Sequence, residues 1–329
     1  MTIKVNILLA ARNEEKYLKK CVESLVHQKL DEDIVVKILI GNDQSEDNTL
    51  KIAENLKHRY EEVDCYTVPN HKDYKGKLNV LHFLSQKVEG QYLLFADADT
   101  IYPNSWVNFM LKSLQKSDFV TGVTIPKRNS FLDRWQRLEW MQALKNLQML
   151  SVFNIGVTAM GNNMGISKAA FDAIGGYNNI KTTAVEDFVL FNKHLKSGGD
   201  FIQLFQYEVL AETEGVDSIL LWLKQRNRWF QGGKKTHPLL IFLNYINILT
   251  LPFLVFFSLL CPQIWSVTVS ILLLKFLMMV IFQYQLKIKI DWWMSLFYEP
   301  IYSFMYLRLF IYRFSSPAID WKGRLYKSE

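Results

Sequence analysis

Residues 238–286 carry a single charged side chain, Lys275, in an otherwise almost wholly apolar run, and this limits what the chain can fold into more than any other feature. About 20 apolar residues cross a bilayer, so two spans fit, at about 239–260 and 264–286, broken by Cys261-Pro262-Gln263. Across all 329 residues the chain is 50% hydrophobic with a mean hydropathy near zero, an average over two unlike parts. Charge is spread evenly up to about Lys235, and those 235 residues suffice for one α/β domain with a full core. The expected organisation is a catalytic-type domain over 1–235 and a membrane region over 236–329. A third segment, about 292–314, holds Glu299-Pro300 and Arg308 among many aromatics.

Within the first part, strand and helix patterns alternate. Lys4–Ala10, Val35–Gly41, Val63–Val68 and Tyr92–Ala96 are short, apolar runs that read as buried strands. Helical patterns at 15–28, 75–88 and from the Ser45/Asp47 cap region to about His58 separate them. Such alternation implies a mostly parallel sheet covered on both faces, with ligands beyond the carboxyl ends of its strands. Polar residues 42–43 and 97–99 follow directly on strands and therefore share one rim. Further on, Phe119–Ile125 reads as another strand. Helices are expected at 131–153, 167–174, 185–196 and 217–232, the first being a surface-lying element through Trp135 and Trp140.

Asp97-Ala98-Asp99 ends a buried strand. Alone it reads as a solvated turn, yet two carboxylates one residue apart can share Mg²⁺ or Mn²⁺ with a substrate diphosphate. Lys77 alone reads as a surface lysine, and Glu186-Asp187 as acids favoured in the first turn of a helix. Gln225, Arg228 and Trp229 fall on one helical face, where an arginine can grip a diphosphate and an indole can meet a sugar ring. An interfacial helix would carry the same Trp and Arg at headgroup level.

Taken in order, AARNEE (10–15), GNDQSEDNT (41–49), KGKLNVL (75–81), FADADT (95–100), GNNMGISKAAFDAIGGY (161–177), VEDFVL (185–190) and QRNRW (225–229) resemble the family 2 glycosyltransferases with the GT-A fold. The resemblance is to the membrane-anchored subgroup that bears D-x-D, E-D and Q-x-x-R-W motifs. It implies a GT-A nucleotide-sugar-binding domain followed by transmembrane and interfacial helices. It implies that Ala10 to Glu14, Arg12 included, line the nucleotide base, with Glu14 the side-chain contact and Asp43 on base or ribose. Asn42 and Gln44 depart from the usual aspartate and glycine of that loop. Lys77 and Arg228 would approach the diphosphate, Asp97 and Asp99 the metal and diphosphate, with Asp99 the closer metal ligand. Asp187 would be the catalytic base, and Glu186, Gln225, Arg228 and Trp229 would face the acceptor.

The implied activity is metal-dependent, inverting transfer from a UDP-sugar to a lipid or lipid-linked acceptor. Two rivals stay open: processive polysaccharide synthesis, for which two or three hydrophobic helices are few to enclose a polymer, and an inactive nucleotide-sugar-binding protein. The net charge of +6 suits an anionic membrane face. No concentrated basic stripe points to nucleic acid. Cys21, Cys65 and Cys261 fit no disulfide or metal spacing. The first apolar run, Val5–Ala11, is short and runs straight into Arg12-Asn13-Glu14-Glu15, unlike a secretion signal. The expected location is a cytoplasmic membrane with the catalytic domain on the cytoplasmic side. With Lys287 and Lys289 back on that side after two spans, a third crossing would carry Arg313, Lys322, Arg324 and Lys327 outward, against the positive-inside tendency. Two spans plus an interfacial or re-entrant third helix is therefore expected. Oligomeric state is not legible.

Overall fold

The computed structural model describes residues 2–178, 180, 185–232, 238–315, 319–321 and 324–326. Its elements run β1 (Ile3–Ala11), α1 (Leu18–Val26), β2 (Ile34–Asn42), α2 (Thr49–Arg59), β3 (Val63–Thr67), α3 (Lys77–Ser85), β4 (Tyr92–Asp97), β5 (Thr100–Ile101) and α4 (Trp106–Leu114). There follow β6 (Phe119–Thr121), β7 (Val123–Pro126), α5 (Phe131–Val152), β8 (Asn163–Ser167), α6 (Lys168–Ala173), α7 (Glu186–Lys196), β9 (Phe201–Gln203) and β10 (Leu210–Thr213). The chain closes with α8 (Ile219–Gly232), α9 (Pro238–Leu260), α10 (Ile264–Gln285), α11 (Trp292–Ser315) and the short strands β11 (Ile319–Trp321) and β12 (Arg324–Tyr326). Two compact units emerge: residues 1–125 with 147–214, and residues 126–146 with 215–329.

The first unit is built on a seven-stranded sheet in the order β3-β2-β1-β4-β8-β6-β9. Its first four strands are parallel, β8 runs antiparallel to both β4 and β6, and β6 is again parallel to β9. The fold is thus α/β with a mostly parallel sheet. The apolar runs have their cause in two-sided burial. Val5, Ile7, Leu9 and Ala11 of β1 join a core with α1, α2 and α4. Leu8, on the opposite pleat, joins a second core with α3, α6 and α7. Each such Val, Ile or Leu side chain contributes about 1.5–3 kcal/mol by leaving water. Helix α1 meets the sheet through Leu18, Cys21, Val22 and Leu25, the one-face spacing of a half-buried helix. Gly41 lets α3 lie close on β2, since a Cβ there would fall 2.3 Å from a Val80 methyl carbon.

Several expectations are corrected. Phe119–Ile125 is two strands, not one: Gly122 separates β6, in the large sheet, from β7, in the three-stranded sheet β5-β10-β7. A side chain at Gly122 would collide with Asn163 Oδ1 at 2.2 Å, so the chain changes sheets where only glycine fits. Helix α2 begins at Thr49, directly after the Ser45/Asp47 region, and 45–48 is also tied to the 13–15 loop. Helix α5 does not simply lie on a surface through its tryptophans: Trp135 is 1% exposed and packs edge-on against Trp222.

In the second unit, α10 and the stretch Ile241–Leu260 of α9 are long and apolar enough to cross a membrane. Their apolar side chains, including Phe253, Phe257, Leu260, Val269 and Leu274, are largely exposed. Lys275 does not face outward. Its Nζ donates to Asn247 Oδ1 of α9 at 2.8 Å and to Glu299 Oε2 of α11 at 2.7 Å, cross-linking three helices. Helix α11 is two-sided. Tyr298, Tyr302, Met305 and Leu309 are buried while Trp293, Phe297, Phe304 and Ile311 are exposed. Asp291 starts it, pairing with Arg128 and Arg134. Of the basic C-terminal residues, Lys322 and Lys327 lie outside the described residues.

Candidate active site

The strand register brings the first-unit site residues together. Ala10 of β1 lies opposite Gly41 of β2 on one side and Asp97 of β4 on the other. The three strand ends therefore deliver residues 10–14, 42–43 and 97–99 to one rim. Two of the loops are latched to each other: Asn13 N donates to Ser45 Oγ, Glu14 N to Thr49 Oγ1, and Glu15 N to Asp47 Oδ2, at 3.1, 2.7 and 3.1 Å. Asn13 and Gln44 both adopt positive φ, 54° and 52°. That geometry explains why glycine is the expected residue at position 44, since it enters this region without steric cost. Asp43 is buried, donates its backbone N–H to Ala11 O at 2.9 Å, and meets Arg12 at 3.7 Å.

Lys77 is the hub. Its Nζ lies 2.6 Å from Asp97 Oδ1 and 3.1 Å from Glu186 Oε1. Burial works against its charge, but Asp97, Glu186 and Asp187 outweigh that and raise its pKa, so Lys77 stays protonated. It is placed at the first residue of α3, after Gly76 with φ 60°. Glu186, expected on the acceptor side, is buried and turned to Lys77. Asp187 sits in the first turn of α7. Its Oδ2 accepts from Gly161 N at 2.9 Å and its Oδ1 from Phe188 N at 2.8 Å. Burial first, then the charge of Glu186, lifts its pKa to about 6, with Lys77 and the two N–H donors pulling the other way.

Residues that motif reasoning did not single out hold this frame. The Tyr102 phenol accepts from Asp97 N at 3.1 Å and donates to Asn162 O at 2.6 Å, tying the D-x-D turn to the GNN segment. Asn163, fully buried, donates to Val123 O and Val209 O and accepts from Trp106 Nε1. The G-N-N triplet was the only visible signal for it. Gly161 is needed for space: a Cβ there would sit 2.7 Å from Asp187 Oδ2. Gly161→Ala is expected to displace the Asp187 carboxylate and to lower about 100-fold any turnover that depends on it, as a displacement near 1 Å at a reacting group does. Steady-state kinetics beside a thermal melt would check this.

A divalent cation fits the donor set on one condition. Among the described residues no group of three or more His, Cys, Asp or Glu converges on a common point. Asp97 and Asp99 offer two hard oxygen ligands, Asp97 partly engaged by Lys77 and Asp99 accepting from Thr100 Oγ1 at 3.2 Å. Mg²⁺ and Mn²⁺ sites of this kind are completed by substrate phosphate and water. Gln225, Arg228 and Trp229 belong to the second unit, on α8.

The chain is similar to known proteins in sequence and in fold. The model of "Glycosyl transferase family 2" matches residues 6–175, and that of "Glycosyl transferase family group 2" matches 92–314. A poly-beta-1,6-N-acetyl-D-glucosamine synthase of Staphylococcus epidermidis is 27% identical over 246 residues, covering 70% of this chain and 54% of its own. A beta-monoglucosyldiacylglycerol synthase of Trichormus variabilis is 26% identical over 240 residues, covering 70% and 48%. The chain thus spans about half the length of the curated relatives it matches. In fold it is similar to a mannosyltransferase from Pyrobaculum calidifontis, solved with GDP-Man and Mn²⁺, at 13% identity and TM-score 0.57 over 92% of this chain and 88% of that one. With one family model covering more than half of its residues, the chain belongs to glycosyl transferase family 2.

Proposed function

We propose that this chain is a membrane-anchored, inverting glycosyltransferase that moves a sugar from a UDP-sugar to a lipid or lipid-linked acceptor. The observation that supports this best is the convergence of Asp97, Lys77, Glu186 and Asp187 within one cluster at the carboxyl rim of the sheet. In this reading Ala10, Arg12, Glu14 and Asp43 receive the nucleoside, and Lys77 neutralises the diphosphate. Asp187 takes the proton of the acceptor hydroxyl as its oxygen bonds to the anomeric carbon and the bond to the diphosphate breaks. Mg²⁺ or Mn²⁺, held by Asp99 and Asp97, would supply charge stabilisation to the departing diphosphate. Arg228 is assigned to the diphosphate, and Gln225, Arg228 and Trp229 to the acceptor.

The exposed apolar flanks of α9 and α10 suit two membrane spans. The two-sided α11 suits an interfacial helix, with the sheet unit on the cytoplasmic side. Processive polymerisation is the second reading, favoured by the similarity to the poly-N-acetylglucosamine synthase. The glucosyldiacylglycerol synthase relative favours single transfer to lipid.

A screen of UDP-sugars against membrane lipid extract, with and without Mg²⁺, Mn²⁺ or EDTA and read by mass spectrometry, tests both. A single-sugar glycolipid made only with metal is the expected product, and a polymer ladder would favour the second reading. Absence of UDP release from every donor would reduce the chain to a binding protein. The pH profile follows from Asp187. A base with pKa about 6 is protonated below that pH, so kcat/KM is expected to rise with pH through about 6 and level off above it. A profile flat from pH 5 to 8 would remove Asp187 from the rate-determining proton transfer.

A further inference from the structure

The second unit contains a buried ion pair that no step of the transfer uses. Arg226 and Glu139 are 5% and 3% exposed. Arg226 Nε donates to Glu139 Oε1 at 2.8 Å, and its Nη2 donates to Oε2. Glu139 also accepts from Trp222 Nε1 at 3.1 Å and from the Tyr306 phenol at 2.8 Å. Four donors therefore fix one carboxylate, drawn from α8 and α11 onto α5. The guanidinium lies over three indoles, 4.3 Å from the centroid of Trp229, 5.4 Å from Trp222 and 5.7 Å from Trp140. Trp140 in turn meets Trp229 edge-on at 5.3 Å. Tyr306 in turn stacks on Tyr302, ring centroids 4.3 Å apart.

A buried ion pair is a weak means of stabilising a fold, since apolar side chains of equal volume serve as well. What apolar side chains cannot do is hold one indole at a set angle from a charged, planar face. Arginine does this because its guanidinium is flat, permanently charged and bidentate toward Glu139. The shortest of the three cation–ring distances is to Trp229, which stays partly exposed. We infer that Arg226, oriented by Glu139 and Tyr306, is a positioning residue that sets the Trp229 indole for the sugar or headgroup of the acceptor. This rests on the sugar-transfer reading given above and adds a residue that the Q-x-x-R-W pattern leaves unspecified.

The test is a pair of conservative variants in the full chain, assayed against a UDP-sugar and lipid acceptor that the wild type uses. Arg226→Lys keeps the charge and loses the flat face. It is expected to raise the acceptor KM at least 5-fold while donor KM and acceptor-independent UDP release stay within 2-fold. Tyr306→Phe keeps the ring and removes one donor to Glu139, so a smaller rise of 2- to 4-fold in acceptor KM alone is expected. If Arg226→Lys does not fold, Tyr306→Phe carries the test. Acceptor KM unchanged in both folded variants, or donor and acceptor KM rising together, overturns the positioning role. A wild type that releases no UDP from any donor instead overturns the transfer reading on which it stands.

Discussion

Asp187→Asn is expected to lower transfer at least 1,000-fold while UDP affinity stays within a few-fold of wild type. General-base catalysis contributes about 10²–10⁴-fold, and an amide cannot take the acceptor proton. Size is not the variable, because Asn occupies the same space beside Gly161. Both carboxylate oxygens accept backbone N–H groups, so the amide will lose one of these bonds at a net cost of about 0.5–1.5 kcal/mol. The melting temperature should therefore fall only slightly, which separates lost chemistry from lost fold. Transfer kinetics, UDP calorimetry and a thermal melt together make the measurement. Retention of full activity would remove Asp187 as the base.

Lys77→Met should do more damage and of a different kind. The lysine faces Asp97 and Glu186 directly, and its charge also acts on Asp187. Removing one partner from such a buried cluster typically costs about 3–5 kcal/mol. The direction with pH follows from Asp187. Without the cation its already raised pKa rises further, so the folded form holds this proton more tightly than the unfolded chain. The stability deficit should then be largest near neutral pH and shrink as the pH falls toward the acidic range. Lys77 is also the charge that most lowers the pKa of Asp187. Any residual activity should accordingly show its acidic limb displaced above about 6. Thermal melts from pH 5 to 8, with the rate profile over the same range, read both effects. Donor affinity should fall more than tenfold because the diphosphate loses its counter-charge.

Much of the first unit was legible because each strand there is buried on both faces and each helix on one. Lys4–Ala10, Val35–Gly41 and Tyr92–Ala96 fall inside β1, β2 and β4, whose ends carry the site. Strands β5, β9 and β10 were not legible. They are two to four residues long and owe their pairing to distant partners rather than to their own pattern. The Gly122 sheet switch was missed because its cause is Asn163, 41 positions away in sequence. Of the site, the motif carboxylates were visible as letters, but the role of Lys77 as their common counter-ion was not. Sequence shows a lysine and three acids without the register that joins them. Tyr102 and Arg226 were invisible for the same reason. Trp135 was misread as surface because a Trp-rich helix has the same composition whether it meets lipid or protein.

Whether these charges form one pyrophosphate site is tested most directly by calorimetric titration of UDP, with Mg²⁺ or Mn²⁺ present, into wild type, Asp97→Asn and Lys77→Met. Saturable binding by the wild type that weakens at least tenfold in both variants is the expected result. Equal UDP affinity in all three proteins would contradict it, and the cluster would then be a structural ion network with the nucleotide bound elsewhere.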